Sequence, residues 1–129
     1  MDEEGSQDLY EKNYWGLWQV TVKDTEAFIG YILVKPLNIP NELLDVNNIE
    51  IGWRFKQESW GHGYATEAAE AVSEKVTEQK NIKILSATAD ATNDASIRIM
   101  EKLGMSFVKN YNDKTQGTDV ASVLYSKVL

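Results

Sequence analysis

The segment Glu58-Ser59-Trp60-Gly61-His62-Gly63-Tyr64-Ala65-Thr66-Glu67-Ala68 holds the residues whose types and spacing best suit chemistry. Gly61 and Gly63 stand one residue apart, between a strand-like run, Ile49 to Phe55, and a helix-like run that begins at Ala65. Glycines at such a junction let the backbone turn tightly and aim several N–H groups at one point. The first helical turn adds its unpaired N–H groups and the positive end of its dipole. The chemistry that fits is anion binding, most naturally of a phosphate or pyrophosphate. An ordinary turn is the competing reading, because a G-x-G pair alone is a weak signal. The dinucleotide pattern G-x-G-x-x-G fails, since Thr66 stands where its third glycine belongs. That pattern also needs an acidic residue about 20 positions on, and Ile82 to Ala87 leads to no such residue before Asp90. The Gly-Lys-Ser/Thr of a Walker loop is absent.

Other polar residues near the loop are less informative. His62 is the only histidine; its ring titrates near neutrality, but a place between two glycines points it at phosphate or solvent. Glu67 in the first helical turn is explained by the helix dipole. One His, no Cys and scattered acids form no metal-ligand spacing, so no metal is expected.

The elements that must position this loop follow from periodicity. Trp15 to Val22 reads as a strand, Lys23 to Glu26 as a turn and Ala27 to Val34 as a second strand, making a hairpin. Pro36 to Asn48 is a loop. In the third strand, Ile49, Ile51, Trp53 and Phe55 share one face, while Glu50, Gly52 and Arg54 share the other. The helix repeats Ala65, Ala68, Ala69, Val72 and Val76 at helical spacing, runs to about Lys80 and ends at Asn81. Glu70, Glu74 and Glu78 fall on its solvated side. Lys83 to Ala89 is a fourth strand. Asn93 or Asp94 caps a short helix through Leu103, which Gly104 stops. Phe107 to Tyr111 and Val120 to Val128 close the fold as a hairpin. The expected class is α/β (α+β), in one domain spanning 1–129, of which 1–14 is an acidic N-terminal segment.

Composition bounds the partners. With 129 residues, 43% of them hydrophobic, the chain is long enough for a real core. A net charge of −7 makes nucleic acid a poor partner and suits a cationic acceptor, although acidic surfaces also serve solubility alone. No run approaches the ~18 apolar residues of a membrane helix, and Met1-Asp2-Glu3-Glu4 is acidic where a secretory leader is basic. The expected address is cytoplasmic.

The stretch from Trp60 to Ala68 resembles the acyl-CoA pyrophosphate loop of the GNAT N-acetyltransferase superfamily, and is most similar to the RimJ/RimL-like branch that acetylates ribosomal-protein N-termini. The superfamily pattern is Q/R-x-x-G-x-G/A; Gly61 and Gly63 match it, while Glu58 takes the first position and Gln57 lies one residue too early. A second block, Asn93 to Phe107, resembles the family's N-x-x-S/A…L-G-F/M segment. The resemblance runs from Trp15 to Leu129. It implies a mixed, mostly antiparallel central sheet flanked by helices, whose third and fourth strands splay to admit acetyl-CoA as cosubstrate. The acyl arm then meets Gly52, Trp53, Arg54 and Phe55, and the pyrophosphate meets Glu58, Ser59, Trp60, Gly61, His62, Gly63, Tyr64 and Ala65. Asn93 and Ser96 line the pantetheine arm. Gly52 permits close backbone approach, or marks a bulge.

The implied reaction is direct attack of a primary amine, on a peptide N-terminus or a small molecule, upon the thioester. A base must take a proton from the amine. Glu50 matches the family's water-holding carboxylate, and is otherwise an exposed strand residue. The tyrosine donor of many members is here Met100, which cannot donate. In the RimL-like branch a serine at the position of Ser96 serves instead; its plain reading is a hydroxyl satisfying the helix N-terminus. Met100 also motivates the alternative, a catalytically silent acyl-CoA-binding or interaction module.

Family members usually begin with a strand and two helices before the Trp15 strand. Fourteen residues precede Trp15 here, too few for those elements at ordinary lengths. A shortened N-terminus leaves Leu9, Tyr10, Tyr14 and Trp15 to be covered, and a homodimer or a separate partner is the expected cover; a start missed upstream, or a relic with a wide-open site, is the alternative.

Overall fold

The computed structural model describes residues 15–40, 42–114 and 117–129. The expectations for residues 1–14, including cover for Leu9, Tyr10 and Tyr14, lie outside the described residues.

Strands β1 (Gly16–Thr21), β2 (Phe28–Pro36), β3 (Asn48–Phe55), β4 (Ile84–Asp90), β5 (Ser106–Asp113) and β6 (Val120–Val128) are joined by helices α1 (Tyr64–Thr77) and α2 (Asp94–Lys102). The strands form one six-stranded sheet in the order β1-β2-β3-β4-β6-β5. Every neighbouring pair is antiparallel except β3 with β4.

That parallel pair is short. It holds only Asn48↔Ile84, Ile49↔Leu85 and Glu50↔Ser86. Beyond it, β3 goes on pairing with β2 as far as Gly30↔Phe55, and β4 with β6 as far as Asp90↔Ser122. Both strands therefore stay in the sheet while parting from each other, and the sheet opens as a V. Side chains hold its closed end. The buried Ser86 hydroxyl donates to Asn48 Oδ1 at 2.6 Å and lies 2.7 Å from Ser126 Oγ.

The two sheet faces differ as strand alternation requires. Ile32, Val34, Ile49, Ile51, Leu85 and Ala87 point to one face, where Ala69, Val72 and Val76 of α1 and Met100 of α2 bury them. Trp15, expected to need a partner's cover, is instead partly buried against this core. The opposite face carries half-buried Tyr31, Leu33, Lys35, Glu50 and Thr88. A small cluster of Leu37, Ile39 and Leu124, joined by Tyr111, covers part of it.

Boundaries move slightly from expectation. α1 stops at Thr77 because the buried stripe ends at Val76, and the Gln79 N–H turns back to the Val76 carbonyl at 3.2 Å. Pro36 ends β2 opposite Ile49 rather than opening the loop, a strand-end place where a missing N–H is tolerated. Asn93, not Asp94, caps α2.

Candidate functional site

The loop between β3 and α1 is tied down at its start. Gln57–Ser59 forms one tight helical turn, with the Ser59 hydroxyl donating to the Lys56 carbonyl at 2.7 Å. Trp60 Nε1 reaches back to the Phe55 carbonyl at 3.1 Å. Gly61 and Gly63 then take left-handed backbone angles, φ +86° and +76°, with nothing within 4 Å of where a Cβ would stand. Their requirement is conformational rather than steric. Gly63 begins α1 without any side-chain cap. The first helical bond is Glu67 N–H to the Gly63 carbonyl at 3.0 Å. The N–H groups of Tyr64, Ala65 and Thr66 precede it, and so present donors at the helix end.

These donors face a cavity of about 590 Å³ between the loop, β3 and α2. Of the residues expected to hold the cosubstrate, Trp53, Arg54, Phe55, Ser59, Trp60, Gly61, Gly63, Tyr64, Ala65, Asn93 and Ser96 meet in its wall. Gly52, Glu58 and His62 do not. His62 is turned onto the Tyr64 ring, stacked at 5.3 Å between centroids. Gly52 has room for a Cβ, which would only meet Leu33 at 3.9 Å. Between neighbouring strands the tight contact is at Gly30, where a Cβ would sit 2.5 Å from the Arg54 carbonyl. Sequence reading missed Thr66, Ala95, Ile99 and Lys102. The last three recur at spacings of four and three, which puts them on one face of α2. Among the described residues, Arg54 and Lys102 are the charged residues of this wall. Two cations, with no carboxylate among the described lining residues, in a chain of net charge −7, and with helix-end N–H groups, fit a polyanionic ligand.

Ser96 is held from two sides. Its N–H donates to Asn93 Oδ1 at 3.1 Å, and its Oγ accepts from Trp53 Nε1 at 3.2 Å. The backbone N–H, not the hydroxyl, thus makes the cap, and the indole bond leaves the hydroxyl proton available to an acceptor. Met100 is fully buried in the core.

A second cavity, about 360 Å³, opens on the opposite face of the sheet at the V. Arg54, Thr88, Ala89, Asp90, Tyr111, Asp113, Val120 and Ser122 line it, so Arg54 borders both cavities. Hydrogen bonds from the Thr92 N–H and hydroxyl hold the Asp90 carboxyl below the usual carboxylate range. Burial pushes the Tyr111 phenol up, helped by the charges of Asp113 and Glu50 and opposed by hydrogen bonds with Thr88 and Ser122. Glu50 lines neither cavity. Its Oε1 accepts from Lys35 Nζ at 2.8 Å and its Oε2 from Thr88 Oγ1 at 2.8 Å. The Thr88 bond spans β3 and β4 just past their last paired residues, Glu50 and Ser86.

The glycine turn and the start of α1 thus stand on one side of a splayed parallel pair. The model of the acetyltransferase (GNAT) domain matches residues 2–106, and the chain belongs to that family. It is similar to YkkB, an uncharacterised protein of Bacillus subtilis (strain 168), at 37% identity over 77% of this chain and 56% of the relative. The chain thus spans little more than half of that relative's length. Among solved structures, a GNAT-family acetyltransferase from Bacillus anthracis superposes with a TM-score of 0.73 at 24% identity, covering 99% of this chain and 75% of that one. RimL, a ribosomal L7/L12 α-N-protein acetyltransferase solved in complex with Coenzyme A, gives a TM-score of 0.73 at 12% identity, over 95% of this chain and 67% of that one. These structural likenesses establish the fold: a mixed, mostly antiparallel GNAT sheet with its flanking helices.

Proposed function

We propose that this chain transfers an acetyl group from acetyl-CoA to a primary amine, on a peptide N-terminus or a small molecule, by direct attack. The observation that carries the reading is the pair of unlike cavities, one on each face of the sheet, both bordered by Arg54. One is lined by cations and helix-end donors; the other holds two carboxylates and a phenol. Acetyl-CoA supplies the thioester carbonyl. The N–H groups of the loop from Glu58 to Ala65 hold its pyrophosphate, with Arg54 and Lys102 neutralising charge. Ser96 presents its hydroxyl proton where a thiolate departs. Glu50 is the final acceptor of the proton that the amine loses. Asp90 and Asp113 favour an acceptor that arrives as an ammonium ion.

Turnover of acetyl-CoA with a panel of peptides and small amines, followed by thiol release, tests the reading. A panel on which the purified chain releases no thiol above background defeats it. The burial of Met100, at the position where a donor tyrosine is expected, favours a second reading, a silent acyl-CoA-binding module. That module would retain coenzyme A in native mass spectrometry yet release no thiol.

The proposed setting is the cytoplasm; no helix among the described residues is long and apolar enough to cross a membrane. We propose further that a second copy, or a separate partner, covers the open sheet face, where Leu17 of β1 is exposed. Light scattering that finds a monomer at every concentration would exclude the homodimer.

A further inference from the structure

We infer that Trp53 is a positioning residue: its indole N–H holds the Ser96 hydroxyl so that the hydroxyl proton is offered to the loop cavity, at the sulfur that departs from the acyl carbon. The inference rests on the proposed function and gives Trp53 a part beyond lining the acyl arm.

Trp53 lies just past Glu50, where β3 has parted from β4 but still pairs with β2, opposite Ile32. Strand alternation puts its ring on the face of Ile49 and Ile51, partly buried against the core. The ring thus stands at the opening of the V, on the helix side of the sheet. From there Nε1 donates to Ser96 Oγ at 3.2 Å, joining β3 to α2 across 43 positions of sequence. Both residues line the loop cavity.

The direction of this bond is fixed by its chemistry. An indole N–H only donates, whereas a serine hydroxyl has one proton and two lone pairs. Ser96 therefore accepts from Trp53 and keeps its proton for another acceptor. Capping, the ordinary duty of a polar side chain at a helix start, falls to Asn93, whose Oδ1 takes the Ser96 N–H at 3.1 Å. Asn93 thus fixes the backbone of Ser96, and Trp53 fixes its side chain. With one lone pair taken, the hydroxyl proton is confined to the remaining directions. A hydroxyl that accepts a hydrogen bond also donates a stronger one.

The step needs no proton from the serine. The amine lone pair forms the N–C bond to the acyl carbon, the C–S bond breaks, and its electron pair stays on sulfur. The proton lost by the amine goes to Glu50. Ser96 donates a hydrogen bond to the sulfur as negative charge grows there, and keeps its proton, because an alcohol is a far weaker acid than a thiol. A donor already oriented needs no rearrangement when that charge appears. Trp53 supplies the orientation and acts on the reaction through Ser96.

The test uses Trp53→Phe, Ser96→Ala and the double variant, each checked for folding by circular dichroism, with acetyl-CoA as donor and an alanine-terminated peptide and a linear diamine as acceptors. Ser96→Ala should lower kcat at least about tenfold, the scale of a hydrogen bond to a charged group. Trp53→Phe, which keeps a ring and loses the N–H, should lower kcat at least about fivefold with little change in the KM for acetyl-CoA. The double variant should be no slower than Ser96→Ala, because the hydroxyl that Trp53 acts through is already gone. A bond that serves only to satisfy the indole gives losses that multiply; that result, an unimpaired Ser96→Ala, or a Trp53→Phe kcat within about twofold of the wild type would overturn the inference. Binding supplies a readout without turnover. As pH rises and the thiolate forms, coenzyme A should gain affinity over desulfo-coenzyme A, and the gain should be at least about threefold smaller in Trp53→Phe and in Ser96→Ala. A third measurement leaves Trp53 in place. With nitrogen-labelled tryptophan, the Trp53 Nε1–H resonance should follow the thiol titration of bound coenzyme A in the wild type and not in Ser96→Ala. A wild type without the affinity gain, a gain undiminished in Trp53→Phe, or a resonance that ignores the thiol overturns the inference and leaves the proposed function intact. A wild type that acetylates no amine overturns the proposed function and Trp53's part in it.

Discussion

The two cavities on either side of the sheet share Arg54 and little else. The larger is built from consecutive chain: the end of β3, the glycine turn and the first turn of α1, with one face of α2 closing it. It presents backbone N–H groups, whose direction is set by the left-handed angles at Gly61 and Gly63. The smaller is assembled from side chains on β3, β4, β5 and β6, far apart in sequence. Its chemistry depends on hydroxyls and carboxylates meeting across strands. A backbone site tolerates changes in side chain; Glu58 departs from the family pattern without altering the turn. A side-chain site does not, and choice of acceptor is expected to lie there.

Four substitutions test that contrast, in falling order of effect. Glu50→Gln should cut turnover by about 10²–10⁴-fold, the usual worth of a positioned base, and leave acetyl-CoA affinity unchanged; a turnover within threefold places the base elsewhere. Gly63→Val forces a β-branched residue to φ near +76°, which such residues avoid. It should weaken acetyl-CoA binding about tenfold, or roughly 1.4 kcal/mol, as calorimetry on the folded variant would read. Unchanged affinity would detach the pyrophosphate from this turn. Lys102→Ala should weaken the same binding only a few-fold, because an exposed cation is screened; the deficit should shrink as salt rises. An effect on amine KM instead would contradict the separation of the cavities. Asp90→Asn should be the mildest. The folded-state acidity constant of Asp90 lies below its ordinary value, so its contribution to stability is present above about pH 4 and fades as pH falls through the folded value. The variant should therefore unfold like the wild type in strong acid and differ slightly near neutrality, in thermal melts across pH.

What could be read from the sequence was local. Alternation along Ile49 to Phe55 identified β3 and its two faces, because a strand's period is two whatever it packs against. The apolar stripe of α1 likewise showed its buried side, and the glycine pair announced a turn whose angles only glycine takes easily. Asn93 and Ser96 were singled out by the family likeness, while capping alone left Asn93 and Asp94 open and the structure chose Asn93. The fold class followed from these pieces and from the family likeness. Lys102 reaches the loop cavity only because α2 packs beside α1. Tyr111 and Thr88 line one cavity only because β6 lies between β4 and β5 in the sheet. Gly30 leaves no room for a side chain, a matter of how β2 and β3 approach. The place of Glu50 was also decided in three dimensions: its face was legible from alternation, but its bonds to Lys35 and Thr88 required strand register. Local geometry is determined by neighbours along the chain, whereas cross-strand hydrogen bonds and the sign of a cavity's charge depend on which distant strands the core brings together.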